Sequence, residues 1–436
     1  MPTTVAVRRT AALAFVLGLV LGLAACSSGE PSATSSTQTT TVPSASGTGL
    51  SVVEDSVETA TATALAAATE KGHDEVSAPG AIVAVRTTDG TWVATIGSTA
   101  LEGTRPMTPD MHQRVGSVTK TFTSTVLLQL AGEGALSLDD PISTYVPGTP
   151  NPQATLGQLS AMRSGIPSYT QTNEFSTAFF ADPSRSWPPQ ELVDLVKGDA
   201  PMFEPGTAFD YSNTNIVLLG MVIEQVTGRP ITEVMDERII GPLGLSGTVF
   251  PTDASFPDPH SQGYTVQGQD GQVPADTAGW NPSWAWTAGA MISTVDDLLG
   301  YGRELATGGR LLTPEMQAVR IASYQDMVPG QPTRRYGYGL QLSNGWTGHT
   351  GELPGFNTFM YHQADADITV VVMVNSDIKS GACTGGDAAN TVPGGRATGP
   401  CLDPAVHIAD LVTAALGYPG NPGDLGDAGP STTTAG

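Results

Sequence analysis

The sequence predicts an α+β domain, and three observations lead to it. Two strand-like runs lie early, Ala81–Thr88 and Thr91–Ile96, joined by Asp89-Gly90, a strong hairpin signal. A long middle section then reads as helices broken by Pro and Gly. Strand signals return late, most clearly in the apolar run Ile368–Val374. The early and late strands would join in one antiparallel sheet flanked by helices, and the middle would form a mainly helical lobe.

In chain order, Arg8 and Arg9 precede an apolar run from Ala11 to Ala25, too short for a comfortable membrane span and shaped like a signal-peptide core. The run ends in Leu23-Ala24-Ala25-Cys26, followed by Ser27, Ser28 and Gly29. This resembles a bacterial lipoprotein signal, in which Cys26 carries the lipid and starts the mature chain. An ordinary secretory signal would also accept these small residues. Residues 1–25 are thus expected to be a signal, and residues 26–52, rich in Ser and Thr, a disordered tether. Residues 53–418 would be the folded domain and residues 419–436 a loose tail. The expected location is the outer face of a bacterial membrane.

Charge narrows the partners. The 436 residues carry 42 acids against 19 bases, a formal charge of −23 that becomes −25 once Arg8 and Arg9 leave with the signal. Such a chain is repelled by nucleic acid and by anionic lipid, so any membrane contact must come from the N-terminal lipid. With Cys26 assigned to lipid, Cys383 and Cys401 are expected to pair in an oxidising compartment; two free thiols are the alternative.

Within the domain, the pattern turns helical at Ser117, with Phe122, Val126, Leu127 and Leu130 spaced for one face. Further helices are predicted around Leu156–Met162, Gln190–Val196, Asn215–Thr227, Ile231–Ile240 and Thr294–Thr307. Late strands are predicted at Tyr338–Leu342, Thr358–His362 and Ile368–Val374, then a closing helix at Pro404–Leu416. There is no G-x-S-x-G elbow, glycine-rich phosphate loop or H-E-x-x-H, and no C-x-x-C spacing, so no cofactor or metal is expected.

Three short motifs carry chemistry. Ser117-Val118-Thr119-Lys120 places a hydroxyl and an amine on one face at the start of a predicted helix. The positive helix end and burial both disfavour the ammonium, and a neutral lysine beside a serine is a proton acceptor. Only four lysines exist, Lys71, Lys120, Lys197 and Lys379, yet Ser376-Asp377-Ile378-Lys379 is a second S-x-x-K. It follows a strand with no helix behind it and reads as a surface turn. Tyr211-Ser212-Asn213 offers a tyrosine held partly as phenolate and an amide that can grip a substrate carbonyl or N–H; ordinary cap and loop residues are the alternative. His349-Thr350-Gly351, followed by Glu352, lies just before a strand. Gly351 would let a ligand backbone approach, Thr350 could bind a carboxylate or carbonyl, and His349 could hold or relay a proton. A Gly/Pro turn is the alternative.

In the order S-x-x-K, Y-x-N, H-T-G, the chain resembles the serine penicillin-recognising hydrolases: class C β-lactamases, serine D-alanyl-D-alanine carboxypeptidases, and related esterases and D-aminopeptidases. Leu159–Pro167, Phe203–Thr207 and Ser283–Thr294 are similar to the family's framing segments, and the likeness spans about residues 55–417. Histidine at 349, with Trp284-Ala285-Trp286, is more like the DD-peptidase branch. The resemblance implies an active site between sheet and helical lobe. It implies Ser117 as nucleophile, Lys120 and Tyr211 sharing acid and base work, and Asn213, His349, Thr350, Gly351 and Glu352 around the substrate. The amides of Ser117 and Glu352 would form the oxyanion hole. The activity so implied is acyl-enzyme hydrolysis of D-Ala-D-Ala-type cell-wall peptides, with penicillin binding. Esters, D-amino amides and β-lactams are alternative substrates of the same chemistry, and a non-catalytic surface lipoprotein is the alternative of another class. Two features depart from the peptidase pattern. No arginine lies in Gly339–Gly345, where one would hold the substrate's carboxylate. Glu352 stands where threonine is usual; ionised, it would repel a carboxylate and attract an amine.

Overall fold

The computed structural model describes residues 49–269, 273–384, 390–391 and 400–419. The signal, Cys26, nearly all of the tether and nearly all of the tail lie outside the described residues. The strands are β1 (Ser51–Asp55), β2 (Gly80–Arg86), β3 (Thr91–Gly97), β4 (Gln113–Arg114), β5 (Tyr264–Thr265), β6 (Ala275–Asp276), β7 (Ile292–Ser293), β8 (Gln325–Asp326), β9 (Arg334–Tyr336), β10 (Gln341–Ser343), β11 (Trp346–Leu353), β12 (Phe356–Gln363) and β13 (Ile368–Val374). The helices are α1 (Thr59–Glu75), α2 (Thr119–Gly132), α3 (Leu156–Ser160), α4 (Asn173–Ala181), α5 (Pro189–Asp194), α6 (Asn213–Thr227), α7 (Ile231–Met235), α8 (Gly241–Leu243), α9 (Trp286–Gly289), α10 (Val295–Thr307), α11 (Pro314–Ala322) and α12 (Pro404–Ala415).

Among the described residues, nine strands make one sheet in the order β1-β3-β2-β13-β12-β11-β10-β9-β8. All of its pairings are antiparallel. Strand side chains alternate between faces, so the sheet feeds two cores. Ala81, Val83 and Val85 join Leu65 of α1 and Ile408 and Val412 of α12. Ile82 and Ala84 join α10 and the helical lobe built on α2 and α6. The expected α+β architecture, sheet plus helical lobe, is the observed one.

Several expected elements differ in detail. β1 begins at Ser51, two residues inside the segment read as tether. α1 escapes the sequence reading because Leu65 is the one large apolar residue on its buried face, the rest being Ala62, Thr69, Gly72 and His73. Small residues suit it: a Cβ on Gly72 would stand 3.0 Å from Ile408 Cα of the helix packed against it. The strand expected at Tyr338 starts at Gln341, since Gly339 takes φ +68° to turn the chain past Ser124. β11 is absent from the strands the sequence predicts, which place H-T-G just before a strand with a Gly/Pro turn as the alternative; the motif lies inside a strand of its own.

The second S-x-x-K is not a surface turn. Ser376, Asp377 and Ser380 are fully buried, and Ser376 Oγ donates to Ser77 O at 2.9 Å. Lys379 N–H donates to Asn390 O at 2.8 Å. Cys383 and Cys401 form a disulfide, and the bridges Ser380↔Leu402 and Ala382↔Pro400 hold the two flanks together.

α2 crosses the centre of the helical lobe. Every residue from Thr119 to Leu128 is buried. Its hydroxyls are matched inside the protein: Thr121 Oγ1 meets Tyr301 OH at 2.9 Å, Thr123 Oγ1 donates to Thr287 O at 2.8 Å, and Thr125 Oγ1 accepts from Arg320 Nη2 at 2.6 Å. Ser124 Oγ meets Ser160 Oγ at 3.0 Å.

Candidate active site

Ser117 sits in the 3₁₀ turn Gly116–Val118 that leads directly into α2. The first amides of a helix lack intrahelical acceptors, so its N–H is available at this end. Lys120, one turn on, is fully buried, with Nζ 2.9 Å from Ser117 Oγ and 2.7 Å from Ala288 O. Burial pushes its amine well below the ordinary lysine range. A neutral amine keeps two donors and gains a lone pair. It can donate to Ala288 O and still accept the Ser117 proton. Ala288 belongs to the Trp-Ala-Trp segment, whose part in holding the lysine had no sequence signal of its own.

Tyr211 lies just before α6, with its ring centroid 4.9 Å from Lys120 Nζ. Burial raises its pKa, against a smaller lowering by the neighbouring Ser117. In this resting site it is therefore a phenol, not the partial phenolate expected. Asn213 opens α6, its N–H bonded to Ser168 Oγ at 3.1 Å and its Nδ2 to Thr170 Oγ1 at 3.1 Å. Ser168 and Thr170, which hold Asn213, lie just past the framing segment Leu159–Pro167 and carry no signal in the sequence reading.

His349 is fully buried between Tyr336 OH, 3.0 Å from Nε2, and Thr350 O, 2.5 Å from Nδ1. Burial first, and then the nearby Lys120, hold its pKa down at about 3. It is neutral near pH 7 and is held by Tyr336 and the Thr350 carbonyl. Tyr336, edge-on to Tyr211 with centroids 6.1 Å apart, was not foreseen.

β11 brings the third motif in. β10 pairs with it only from Trp346 to Gly348, so His349–Leu353 has β12 on one side and the turn carrying Ser117 on the other. In a two-residue hairpin the closing pair, here Leu353↔Phe356, is hydrogen-bonded, so Glu352↔Asn357 is a non-bonded pair. The Glu352 N–H then points away from β12, toward Ser117. Two glycines allow this approach. Gly116, at φ +50°, would put a Cβ 2.5 Å from Glu352 N, and a Cβ on Gly351 would lie 1.9 Å from Val115 O. Thr350 and Glu352 alternate with the buried residues and face the accessible side.

Behind Glu352 lies a polar group the sequence did not reveal. Gln267 Nε2 donates to Glu352 Oε1 at 3.4 Å and to Asp377 Oδ2 at 2.6 Å. Lys379 Nζ stands 3.8 Å from Glu352 Oε2 and 3.9 Å from Asp403 Oδ2. Arg335, by contrast, pairs with Asp326 at 3.1 Å. Burial pushes the Asp377 carboxyl up to about 7, against hydrogen bonds from Thr265, Gln267 and Asn390. The folded protein therefore holds this proton more tightly than the unfolded chain. Stability should fall as pH rises from the unfolded carboxyl range near 4 to about 7. Asp377→Asn should flatten that part of the Tm-against-pH curve; an unaltered slope would remove Asp377 as its source.

No group of three or more His, Cys, Asp or Glu able to hold a metal occurs among the described residues, and none of their helices is long and apolar enough to cross a membrane.

Comparison with known proteins places this geometry. The sequence profile described as Beta-lactamase matches residues 17–389. A D-aminopeptidase of Cereibacter sphaeroides is 30% identical over 310 residues, covering 70% of this chain and 58% of that protein. The chain thus spans less than two thirds of that relative's length. A D-stereospecific amidohydrolase from Streptomyces sp. is 36% identical, with a TM-score of 0.65 over 73% of this chain and 94% of that one. A D-amino acid amidase from Ochrobactrum anthropi SV3, solved with D-phenylalanine, is 26% identical, with a TM-score of 0.67 over 81% and 99%.

Proposed function

Because this chain belongs to the beta-lactamase family, we propose that it is a serine hydrolase working through an acyl-enzyme on Ser117, with D-amino-acid amides and short D-peptides bearing a free amine as substrates. The observation that carries the substrate class is the carboxylate of Glu352 at the mouth, one side chain away from the amide aimed at Ser117. A carboxylate there disfavours the C-terminal carboxylate of D-Ala-D-Ala and favours an ammonium. The relatives named as D-aminopeptidase, D-stereospecific amidohydrolase and D-amino acid amidase support the same choice.

In the reaction so read, Ser117 Oγ attacks the substrate carbonyl as its proton passes to neutral Lys120. The oxyanion sits between the N–H groups of Ser117 and Glu352, an arrangement worth about 3 kcal/mol per donor in other hydrolases. Tyr211 gives a proton to the departing amine as the C–N bond breaks. Asn213 orients the substrate, and the free amine meets Glu352. Water then cleaves the ester with the same groups in reverse.

The test compares kcat/KM for D-phenylalanine amide, N-acetyl-D-Ala-D-Ala and a short nitrophenyl ester, in wild type and Ser117→Ala. The free-amine amide should be preferred over the acylated dipeptide by about tenfold or more, and Ser117→Ala should remove turnover of all three. Preference for the acylated dipeptide would return the enzyme to the carboxypeptidase reading.

A further inference from the structure

Arg114 is a buried cation that the chemistry above does not use. It ends β4, three residues before Ser117, and is 3% exposed. Its Nη2 donates to Trp280 O at 3.0 Å and, less closely, to Ala254 O and Ala278 O at 3.5 Å each. The guanidinium carbon stands 4.8 Å from the centroid of the Phe256 ring. Nη1 is buried with no hydrogen-bond partner. Among the described residues no carboxylate pairs with this guanidinium; burial alone pushes its pKa down to about 10, so it is still charged at neutral pH.

Arg114 also lines a cavity of about 10 Å³, together with Thr277, Trp280, Asn281, Trp284 and Leu353. None of the residues lining it is acidic. Asn281 Oδ1 already accepts from Ser283 N–H at 3.0 Å, which leaves its Nδ2 as a donor. The unused donors beside this space are therefore Arg114 Nη1 and Asn281 Nδ2.

Size and charge select the guest. A space of about 10 Å³ holds one water-sized particle, which excludes carboxylates, sulfate and phosphate. Buried charges are ordinarily paired, because an unpaired one costs far more than a buried neutral group. A water brings no counter-charge. A monatomic anion does, and it asks only for donors.

We propose that this cavity is a halide site, in which a chloride held by Arg114 Nη1 and Asn281 Nδ2 neutralises the buried guanidinium. The site joins the two chain segments whose amides face the nucleophile: Arg114 lies three residues ahead of Ser117, and Leu353 directly follows Glu352. It stands apart from the acylation chemistry and does not depend on which substrate the enzyme prefers.

The experiment follows Tm of the protein in sodium chloride, sodium bromide and sodium gluconate at one fixed ionic strength. It also locates bromide by anomalous scattering in crystals grown without chloride. Chloride and bromide should each raise Tm by about 2 °C over gluconate, which is too large to enter, and the rise should saturate with halide concentration. Bromide should appear in contact with Arg114 Nη1, and Arg114→Gln should abolish the saturable shift. The inference falls if halide and gluconate give the same Tm, if the shift survives in Arg114→Gln, or if bromide is found only elsewhere. Should Arg114→Gln not fold, the bromide position in the wild type decides alone.

Discussion

Lys120→Met should lower kcat about 10⁴-fold, the upper end of what one acid–base group contributes. The substitution keeps the buried stem and removes only the amine that contacts Ser117 Oγ at 2.9 Å and Ala288 O at 2.7 Å. The effect should fall on kcat and kcat/KM together, because the proton moves only in the transition state. The pH profile gives the sign. A base must be neutral, so acylation in wild type should decline as pH falls through the Lys120 pKa, which burial has moved below the ordinary lysine range. His349, at about 3, contributes no limb near neutrality. That acid limb should vanish in Lys120→Met. A burst experiment with a nitrophenyl ester reads acylation directly. If the variant keeps kcat within tenfold and retains the limb, the base is not Lys120, and Tyr211 becomes the candidate.

Gly351→Ala should cost about 10³-fold in kcat/KM, as much as a lost oxyanion donor, and lower Tm as well. The reason is a main-chain collision. The added Cβ would lie 1.9 Å from Val115 O and 3.3 Å from Ser117 N, and neither atom is the end of a flexible side chain. The strand must move off the serine turn, and the Glu352 amide moves with it. Because the amide serves every substrate, the loss should be equal for free-amine amides and neutral esters. This separates it from changes to the Glu352 side chain. A variant with wild-type Tm and kcat/KM within threefold would show that β11 does not need this close approach.

The parts of this fold that were legible in the sequence are those where local pattern and tertiary role agree. Asp89-Gly90 between alternating strands and the unbroken run Ile368–Val374 are such places. The missed parts are held by something distant. Trp346–Leu353 contains two glycines, which count against a strand taken alone. Gly351 is there because β11 must lie against the turn that carries Ser117. α1 shows a weak apolar stripe because it packs through alanine and glycine. Tyr336, which bonds His349, has no motif to mark it, and the framing segment Ser283–Thr294 gives no sign that Ala288 O holds the lysine. The second S-x-x-K misled because the local chain does turn there. Only the fold shows that the turn is buried and that its lysine reaches Glu352.

The hydroxyl-rich start of α2 has a consequence for how the nucleophile is assembled. Between Thr119 and Thr125 the helix has four threonines and a serine in seven residues, a run with low intrinsic preference for helix. Its hydroxyls find partners in Tyr301, Thr287, Ser160 and Arg320, which come from well-separated parts of the chain. Cut off from them, the segment has little reason to coil at all. Ser117 and Lys120 are therefore brought within reach of one another by the finished domain and not by their own neighbours in sequence. Reactivity here is a property of the completed tertiary structure, and a nascent or partly opened chain carries an inert serine.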